Sequence, residues 1–277
     1  MKVFAPGKLN LGIRVLDKLN NGYHAIDTIM QSVNVYDELE FEKINSGIEI
    51  ISQDEIELKD NLIYKAYLAM REYAERDLPI RVKVAKHIPM AAGMAGGTSD
   101  GAFTMRALNE LYGLKLSKEE MAKIGVKIGA DFPFTIHTGT YRAKGIGEKL
   151  KKLPTPELKF VAVNPGFPVS TKEVYENLTL KAQDKDMDQL EKAIITLNYK
   201  DISKYIKNDM EDYVLNKYEV LKEIKKELQS FGGIALLSGT GATVFGIFEN
   251  EDERLKAYEN LKDKYPFVKL LQSVGEI

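Results

Sequence analysis

The 277-residue chain contains no cysteine, which removes disulfides, thiolate metal sites and cysteine nucleophiles from consideration. Three histidines are too few to suggest a polyhistidine metal centre. Charge of one sign is not in excess either. Lys plus Arg total 39 against 41 Asp plus Glu, a formal net charge of -2, so nothing global invites a nucleic-acid or membrane partner. No apolar run approaches the roughly 20 residues needed to span a bilayer, and Met1-Lys-Val-Phe-Ala5 starts the chain without an apolar targeting core. A cytoplasmic protein is expected. Two nucleotide-binding signatures are also missing: no Gly-Lys-Ser/Thr closes a Walker A loop, and no G-x-G-x-x-G spacing occurs. The length is comfortable for two domains.

What is present is one stretch of very small residues between a strand-like run and a helix, Pro89-Met-Ala-Ala-Gly-Met-Ala-Gly-Gly-Thr-Ser-Asp100. Upstream, Ile80 to Lys86 alternates apolar and charged side chains as a half-buried strand does. Downstream, Ala102, Met105, Leu108 and Leu111 have helical spacing and Gly113 stands where that helix would end. Thr98, Ser99 and Asp100 are positioned to cap its first turn, and an anion could take the same backbone donors. Gly93, Gly96 and Gly97 permit close approach to the main chain, so the stretch suits a polyphosphate as well as it suits a flexible connection.

The rest of the chain supplies candidate partners. In Ala5-Pro-Gly-Lys-Leu-Asn-Leu-Gly12, period-two alternation puts Lys8 and Asn10 on one strand face, which for a lone lysine usually means a solvated face. Asn20-Asn-Gly-Tyr-His24 reads as a turn presenting a ring and an imidazole. Alternation predicts strands at 28–35, 38–42 and 47–51, and Asp60-Asn61 a cap for a helix from Leu62 to about Arg76. Ser117-Lys-Glu-Glu120 is a capping-box pattern opening a helix through Ile128. Asp131 follows in Gly129-Ala-Asp-Phe-Pro-Phe134, where Phe132 and Phe134 would anchor it beside a core; a turn or cap role is the ordinary reading. Short strands at 140–142 and 145–150 precede Lys151 to Pro156, the best boundary candidate, dividing the chain into 1–155 and 156–277. Beyond it come a buried-strand run at 159–163 and a helix after Ser170 with Thr171 as cap. Charged helices are expected near 186–196, 202–206 and 218–231. A second glycine cluster, Ser238-Gly-Thr-Gly-Ala-Thr243, lies between two apolar runs, before a helix at 252–264 and a strand at 268–273.

Taken together, Ala5 to Lys8, Pro89 to Asp100 and Ser238 to Thr243 resemble, in order, the three motifs of the GHMP kinases, which phosphorylate small-molecule hydroxyls with ATP. Gly22-Tyr-His24 and Gly129 to Phe134 are similar to the branch acting on the 2-hydroxyl of a cytidine-diphosphate-linked methylerythritol in the non-mevalonate route to isoprenoids. The resemblance implies an α+β, two-domain GHMP kinase fold, with an N-terminal domain of the ribosomal-protein-S5 domain-2 type and a ferredoxin-like C-terminal domain. It implies ATP and Mg²⁺ as cofactors and a small-molecule substrate, with no nucleic-acid or membrane partner. By the same match Lys8 and Asp131 are the catalytic pair. Pro89, Met90, Ala91, Ala92, Gly93, Met94, Ala95, Gly96, Gly97, Thr98 and Ser99 wrap the ATP phosphates, and Asn61 and Lys86 lie near the nucleotide. Tyr23 and Tyr175 enclose the cytosine, His24 bonds its edge, and Asn10 and Thr171 contact the remainder of the substrate. The metal ligand is left among Asp131, Asp100 and Ser99.

Two positions depart from the pattern, Gly7 where Ala is usual and Ala95 where Gly is common. A methyl at 95 disfavours positive φ, so either negative φ or a shifted phosphate contact is expected there, with altered nucleotide affinity. Other readings are a GHMP kinase of homoserine or mevalonate type, which has no base to stack on Tyr175, and a non-catalytic binding protein of this fold. Retention of Lys8 and Asp131 argues against the last.

Overall fold

The computed structural model describes residues 1–20, 22–53, 56–180 and 186–277; Asn21 of the expected turn lies outside them. The chain opens with a long hairpin in which β1 (Lys2–Lys18) runs antiparallel to β2 (His24–Lys43) along almost its whole length. β3 (Ile48–Ser52) and β4 (Ile80–Ala85) are joined through helix α1 (Leu62–Ala74) and are therefore parallel. Helices α2 (Gly96–Tyr112), α3 (Lys118–Gly125) and α4 (Phe132–His137) follow, then β5 (Thr140–Gly145) and β6 (Lys149–Lys152). β2 is the trunk of this six-stranded sheet. One edge carries β1, while the other is shared by β5 at residues 26–31 and β4 at residues 38–43.

The remaining strands, β7 (Lys159–Asn164), β8 (Ile234–Leu237), β9 (Val244–Phe248) and β10 (Phe267–Gln272), form an antiparallel sheet in the order β10-β7-β9-β8. Around it lie α5 (Thr171–Glu176), α6 (Asp186–Ile195), α7 (Tyr199–Tyr205), α8 (Glu211–Lys217), α9 (Glu219–Ser230) and α10 (Glu251–Leu261). One buried cluster joins the two sheets, with Leu9, Leu11 and Ile29 packed among Phe160, Leu236, Phe245 and Leu190. A second binds the first sheet to α1 and α2, and a third binds the second sheet to α9 and α10. Arg142 adds a charged tie: its guanidinium grips both oxygens of Asp27 at 2.8 and 2.6 Å and reaches Asp188 and Glu191 of α6.

Burial on both faces explains where β1 departs from expectation. Residues 5–15 are all buried, so Lys8 and Asn10 lie on an enclosed face and not a solvated one. The strands expected at 28–35 and 38–42 are one strand, because Val33, Val35, Asp37, Leu39 and Phe41 keep an unbroken period-two burial. Asp37 stays in phase as a buried carboxylate, since the Lys86 ammonium and the amides of His87 and Ile88 satisfy it. Helix α2 begins at Gly96, so Thr98, Ser99 and Asp100, expected to cap its first turn, lie inside it and cap nothing. Its N-cap is Ala95 at φ 56°, and Ala91 stands at φ 48°. Of the two alternatives at 95, negative φ is excluded: the loop imposes the left-handed conformation, at a cost of about 1–2 kcal/mol, on a residue with a methyl group. Ser170, not Thr171, caps α5, with its side chain accepting from Glu173 N. The capping box at Ser117 is present, but α3 stops at Gly125 and continues to Ile128 only as turn. Asn61 caps α1 through Ile63 N at 2.9 Å.

Candidate active site

A cavity of 880 Å³ lies where β1, the N-terminus of α2, the start of α4, α5 and the 238–243 loop converge. β1 contributes Lys8 and Asn10. Register shifts at Pro6/Gly7 and Asn10/Gly12 flank this pair, and such bulges re-aim side chains beside functional sites. The Lys8 ammonium donates to Asn10 Oδ1, Asn10 Nδ2 donates to Thr28 Oγ1 at 2.9 Å, and Thr28 Oγ1 donates to Gly12 O at 2.7 Å. Across from them, Asp131 precedes α4 without making a side-chain cap, its neighbours Phe132 and Phe134 buried as anchors. Its carboxylate is thereby left facing the cavity, 3.8 Å from Lys8 Nζ.

The small-residue stretch forms the adjoining wall through Pro89, Ala91, Ala92, Gly93 and Ala95 to Thr98. Since α2 has no side-chain cap, the amides of Gly96, Gly97 and Thr98 have no intrahelical partners, and the positive end of a 17-residue helix faces the same space. That is a site for anionic oxygens. The 238–243 loop is locked onto this wall: Ser238 Oγ donates to Gly93 O at 2.9 Å and accepts from Asn10 N at 3.2 Å, and Thr243 N donates to Ala92 O at 3.2 Å. Gly93 stands at φ 74°, and a Cβ there would lie 2.0 Å from Ser238 O.

His24 and Tyr175, which also line the cavity, stack with ring centroids 4.9 Å apart, and Tyr23, 57% exposed, lines it too. Thr171 Oγ1 meets Thr240 Oγ1 at 3.2 Å, joining α5 to the 238–243 loop. Of the residues implied by resemblance, Met90, Met94, Ser99, Asn61 and Lys86 do not line the cavity. Met94 is core, Met90 is exposed, and Asn61 serves as a helix cap beside the lining residue Leu62. Lys86 is held by Asp37 and by Asp100, the latter at 2.6 Å. Residues that sequence reading missed include Lys18, Thr28, Ile146, Lys172, Glu176 and Met210, which carry no local signal and reach the wall through tertiary placement alone.

Burial pulls the Lys8 ammonium below the usual lysine range, with Asp131 opposing that shift. Burial likewise lowers His24, reinforced by Lys18, so its imidazole is neutral at pH 7 with one donor and one acceptor nitrogen. Burial pushes the Tyr175 phenol up to about 12, with the Asp131 charge adding to it. Beneath the phosphate wall, burial raises Asp100 to about 7 against the pull of Lys86. Lys86 is itself lowered by burial, but its two carboxylates outweigh that and hold it above the usual range.

A carboxylate facing a buried ammonium, next to a helix N-terminus without a side-chain cap, suits a phosphotransferase site. Residues 61–139 match the family described as GHMP kinases N terminal domain, and residues 190–266 match GHMP kinases C terminal. Among curated proteins, the chain is 41% identical to the 4-diphosphocytidyl-2-C-methyl-D-erythritol kinase of Thermoanaerobacter pseudethanolicus, covering 97% of this chain and 94% of that one. It is 40% identical to the kinase of the same name from Syntrophus aciditrophicus, covering 93% of each. A crystal structure of 4-(cytidine 5'-diphospho)-2C-methyl-D-erythritol kinase superposes with a TM-score of 0.84 at 28% identity, over 99% of this chain and 100% of that one. A homoserine kinase from Cytophaga hutchinsonii, 15% identical with a TM-score of 0.78, covers 100% of this chain and 95% of its own and shares the fold. The chain belongs to the GHMP kinases and, within them, to the 4-diphosphocytidyl-2-C-methyl-D-erythritol kinase family. It is an ATP-dependent kinase of α+β, GHMP fold. Among the described residues, no helix is long and apolar enough to cross a membrane.

Proposed function

We propose that the protein transfers the γ-phosphoryl group of ATP to the 2-hydroxyl of 4-diphosphocytidyl-2-C-methyl-D-erythritol. The observation that carries this reading is that one cavity gathers the anion-binding amides, the Lys8–Asp131 pair and the aromatic groups of Tyr23, His24 and Tyr175. The ATP phosphates lie on Gly96, Gly97 and Thr98. Asp131 orients the attacking hydroxyl and accepts its proton, and the Lys8 ammonium stabilises the charge spread over the transferred group. Asn10 and Thr171 contact the polyol side, and Tyr23 and Tyr175 hold the cytosine. The neutral His24 offers a donor and an acceptor to its edge. Residues 1–155 and 156–277 act as two domains with this site between them; the change of sheet between Lys152 and Lys159 supports the division.

Mg²⁺ fits the donors available. Among the described residues there is no cluster of three or more His, Cys, Asp or Glu that could hold a metal ion, so a dedicated cage is not the arrangement. Mg²⁺ bound with ATP characteristically keeps phosphate and water ligands plus one or two protein oxygens. Asp131 faces the cavity and is the candidate; Ser99 Oγ and Asp100 Oδ1, near the start of α2, are buried without hydrogen-bond partners but do not line it. Asp100 also gives its Oδ2 to Lys86. When bound, the ion would neutralise charge on the β- and γ-phosphates.

The deciding experiment is ADP release with Mg-ATP and one acceptor at a time: the cytidine compound, the same polyol without cytidine, homoserine and mevalonate. Turnover confined to the cytidine compound is expected, and turnover with homoserine or mevalonate would overturn the substrate assignment. Within that assay, Tyr175→Ala is expected to raise KM for the cytidine compound about 5- to 150-fold, from the roughly 1–3 kcal/mol of a base stack, while leaving KM for ATP unchanged. An equal rise in both constants would remove Tyr175 from base recognition.

A further inference from the structure

Within residues 208–211, which line up with no nucleotide motif, Asn208 and Glu211 hold the entry to the 238–243 loop. Asn208 is 5% exposed, and its amide is fully used: Nδ2 donates to Leu237 O at 2.8 Å and Gly239 O at 2.7 Å, while Oδ1 accepts from Met210 N at 2.9 Å. Glu211 takes the next backbone group of the same loop entry, Oε1 accepting from Leu237 N at 3.0 Å, and its other oxygen pairs with Lys225. Asp209 faces the opposite way, its carboxylate accepting from Val15 N at 2.9 Å and Arg14 Nε at 3.0 Å. Backbone bonds from Asp209 N to Ile13 O and from Ile13 N to Lys207 O tie the segment to β1 through a single parallel bridge between Asn208 and Ile13. So 207–211 joins the strand that carries Lys8 and Asn10 to the loop that touches Gly93, Asn10 and Thr171.

We propose that Asn208, supported by Glu211, is a positioning residue for phosphoryl transfer, holding the 238–243 loop so that the phosphate wall, the β1 pair and α5 keep their spacing. The proposal rests on reading the cavity as the kinase site. Its physical basis is that two carbonyls pointing toward one another's neighbourhood need a shared donor; without it they must separate or face each other unpaired in a dry interior. Through Ser238 any displacement passes to Gly93 and Asn10, and a misplacement of about 1 Å from a mutation remote from the chemistry can cost about 100-fold in rate.

Asn208→Asp tests this, because it keeps the acceptor for Met210 N and replaces the shared donor by an oxygen. A fall in kcat of about tenfold or more is expected, with KM for ATP and for the cytidine compound each within about threefold of wild type. A merely structural role would instead be reproduced by Ile224→Val in the core under α9 at the same loss of thermal midpoint. Combining Asn208→Asp with Ser238→Ala should cost less than the product of the two single effects, since both act through one loop. Wild-type kcat in Asn208→Asp well below its melting temperature would overturn the proposal. So would an equal kcat loss in the matched Ile224→Val protein, or multiplicative behaviour with Ser238→Ala. If Asn208→Asp does not fold, the Glu211 pair decides: Glu211→Gln retains an acceptor for Leu237 N and should keep most of kcat, whereas Glu211→Ala should not. Equal loss in both would overturn it. Wild-type turnover, measured first, tests the kinase reading separately.

Discussion

Replacing Asp131 with asparagine is expected to lower kcat about 10²- to 10⁴-fold, the range for removal of a positioned proton acceptor, while Mg-ATP affinity stays within a fewfold of wild type. The amide keeps the size of the carboxylate and loses its charge and basicity. Asp131 makes no side-chain cap to α4, so the substitution should leave the fold intact, and single-turnover kinetics with equilibrium nucleotide binding would separate the two effects. Unchanged turnover would take Asp131 out of the mechanism. The partner group adds a pH dependence with a definite sign. Burial holds Lys8 below its usual value of 10.5, and the useful form is the ammonium. Turnover is therefore expected to be retained at lower pH and lost as pH rises through that depressed value, giving an alkaline limb below 10.5. Lys8→Met should have low activity without that limb.

The second large effect is expected from Gly93→Ala. Its added methyl would lie 2.0 Å from Ser238 O, a backbone atom, and the residue sits at φ 74°. Backbone strain at about 1–3 kcal/mol and overpacking at about 1–3 kcal/mol together put the loss of stability near 3 kcal/mol or more, which for a chain of this size is a fall of roughly 6–12 °C in Tm. KM for ATP should rise at least about tenfold, because Gly93 is itself part of the cavity wall that leads into the N-terminus of α2 and the clash displaces its own backbone. Ala95→Gly is the contrasting variant. It relieves a left-handed alanine but frees the unfolded chain, so stability should change by less than about 1 kcal/mol. Thermal melts and ATP titrations of both proteins check the pair; a Gly93→Ala protein that melts and binds like wild type would refute the contact argument.

That contrast shows how far local reasoning reaches. Ala91 and Ala95 hold positive φ with a methyl group in place, so backbone preference alone does not distinguish the glycine that the fold requires from positions that tolerate a side chain. Gly93 is required because a loop 145 residues later crosses it. The same limit applies to Lys86. The resemblance implies that it lies near the nucleotide; in the structure Asp37 and Asp100 hold it from β2 and α2. Thr171 and Tyr175 were legible only through resemblance, and the stacking of His24 on Tyr175 joins residues from opposite halves of the chain.

By itself the sequence determined the element types and most of their order, the capping box at Ser117, the helix cap at Asn61, the small-residue stretch before α2, and the candidacy of Lys8 and Asp131. These follow from side-chain periodicity, capping and glycine content, which act over a few neighbouring residues, and from motif order. Only the tertiary structure decided that β1 is buried on both faces, which depresses Lys8. It alone seated the 238–243 loop on Gly93 and placed Asn208 behind that loop. Those outcomes depend on desolvation and on hydrogen bonds between groups as far apart as Asn10 and Ser238, 228 residues along the chain, and no local preference encodes which distant partner will satisfy a buried polar group.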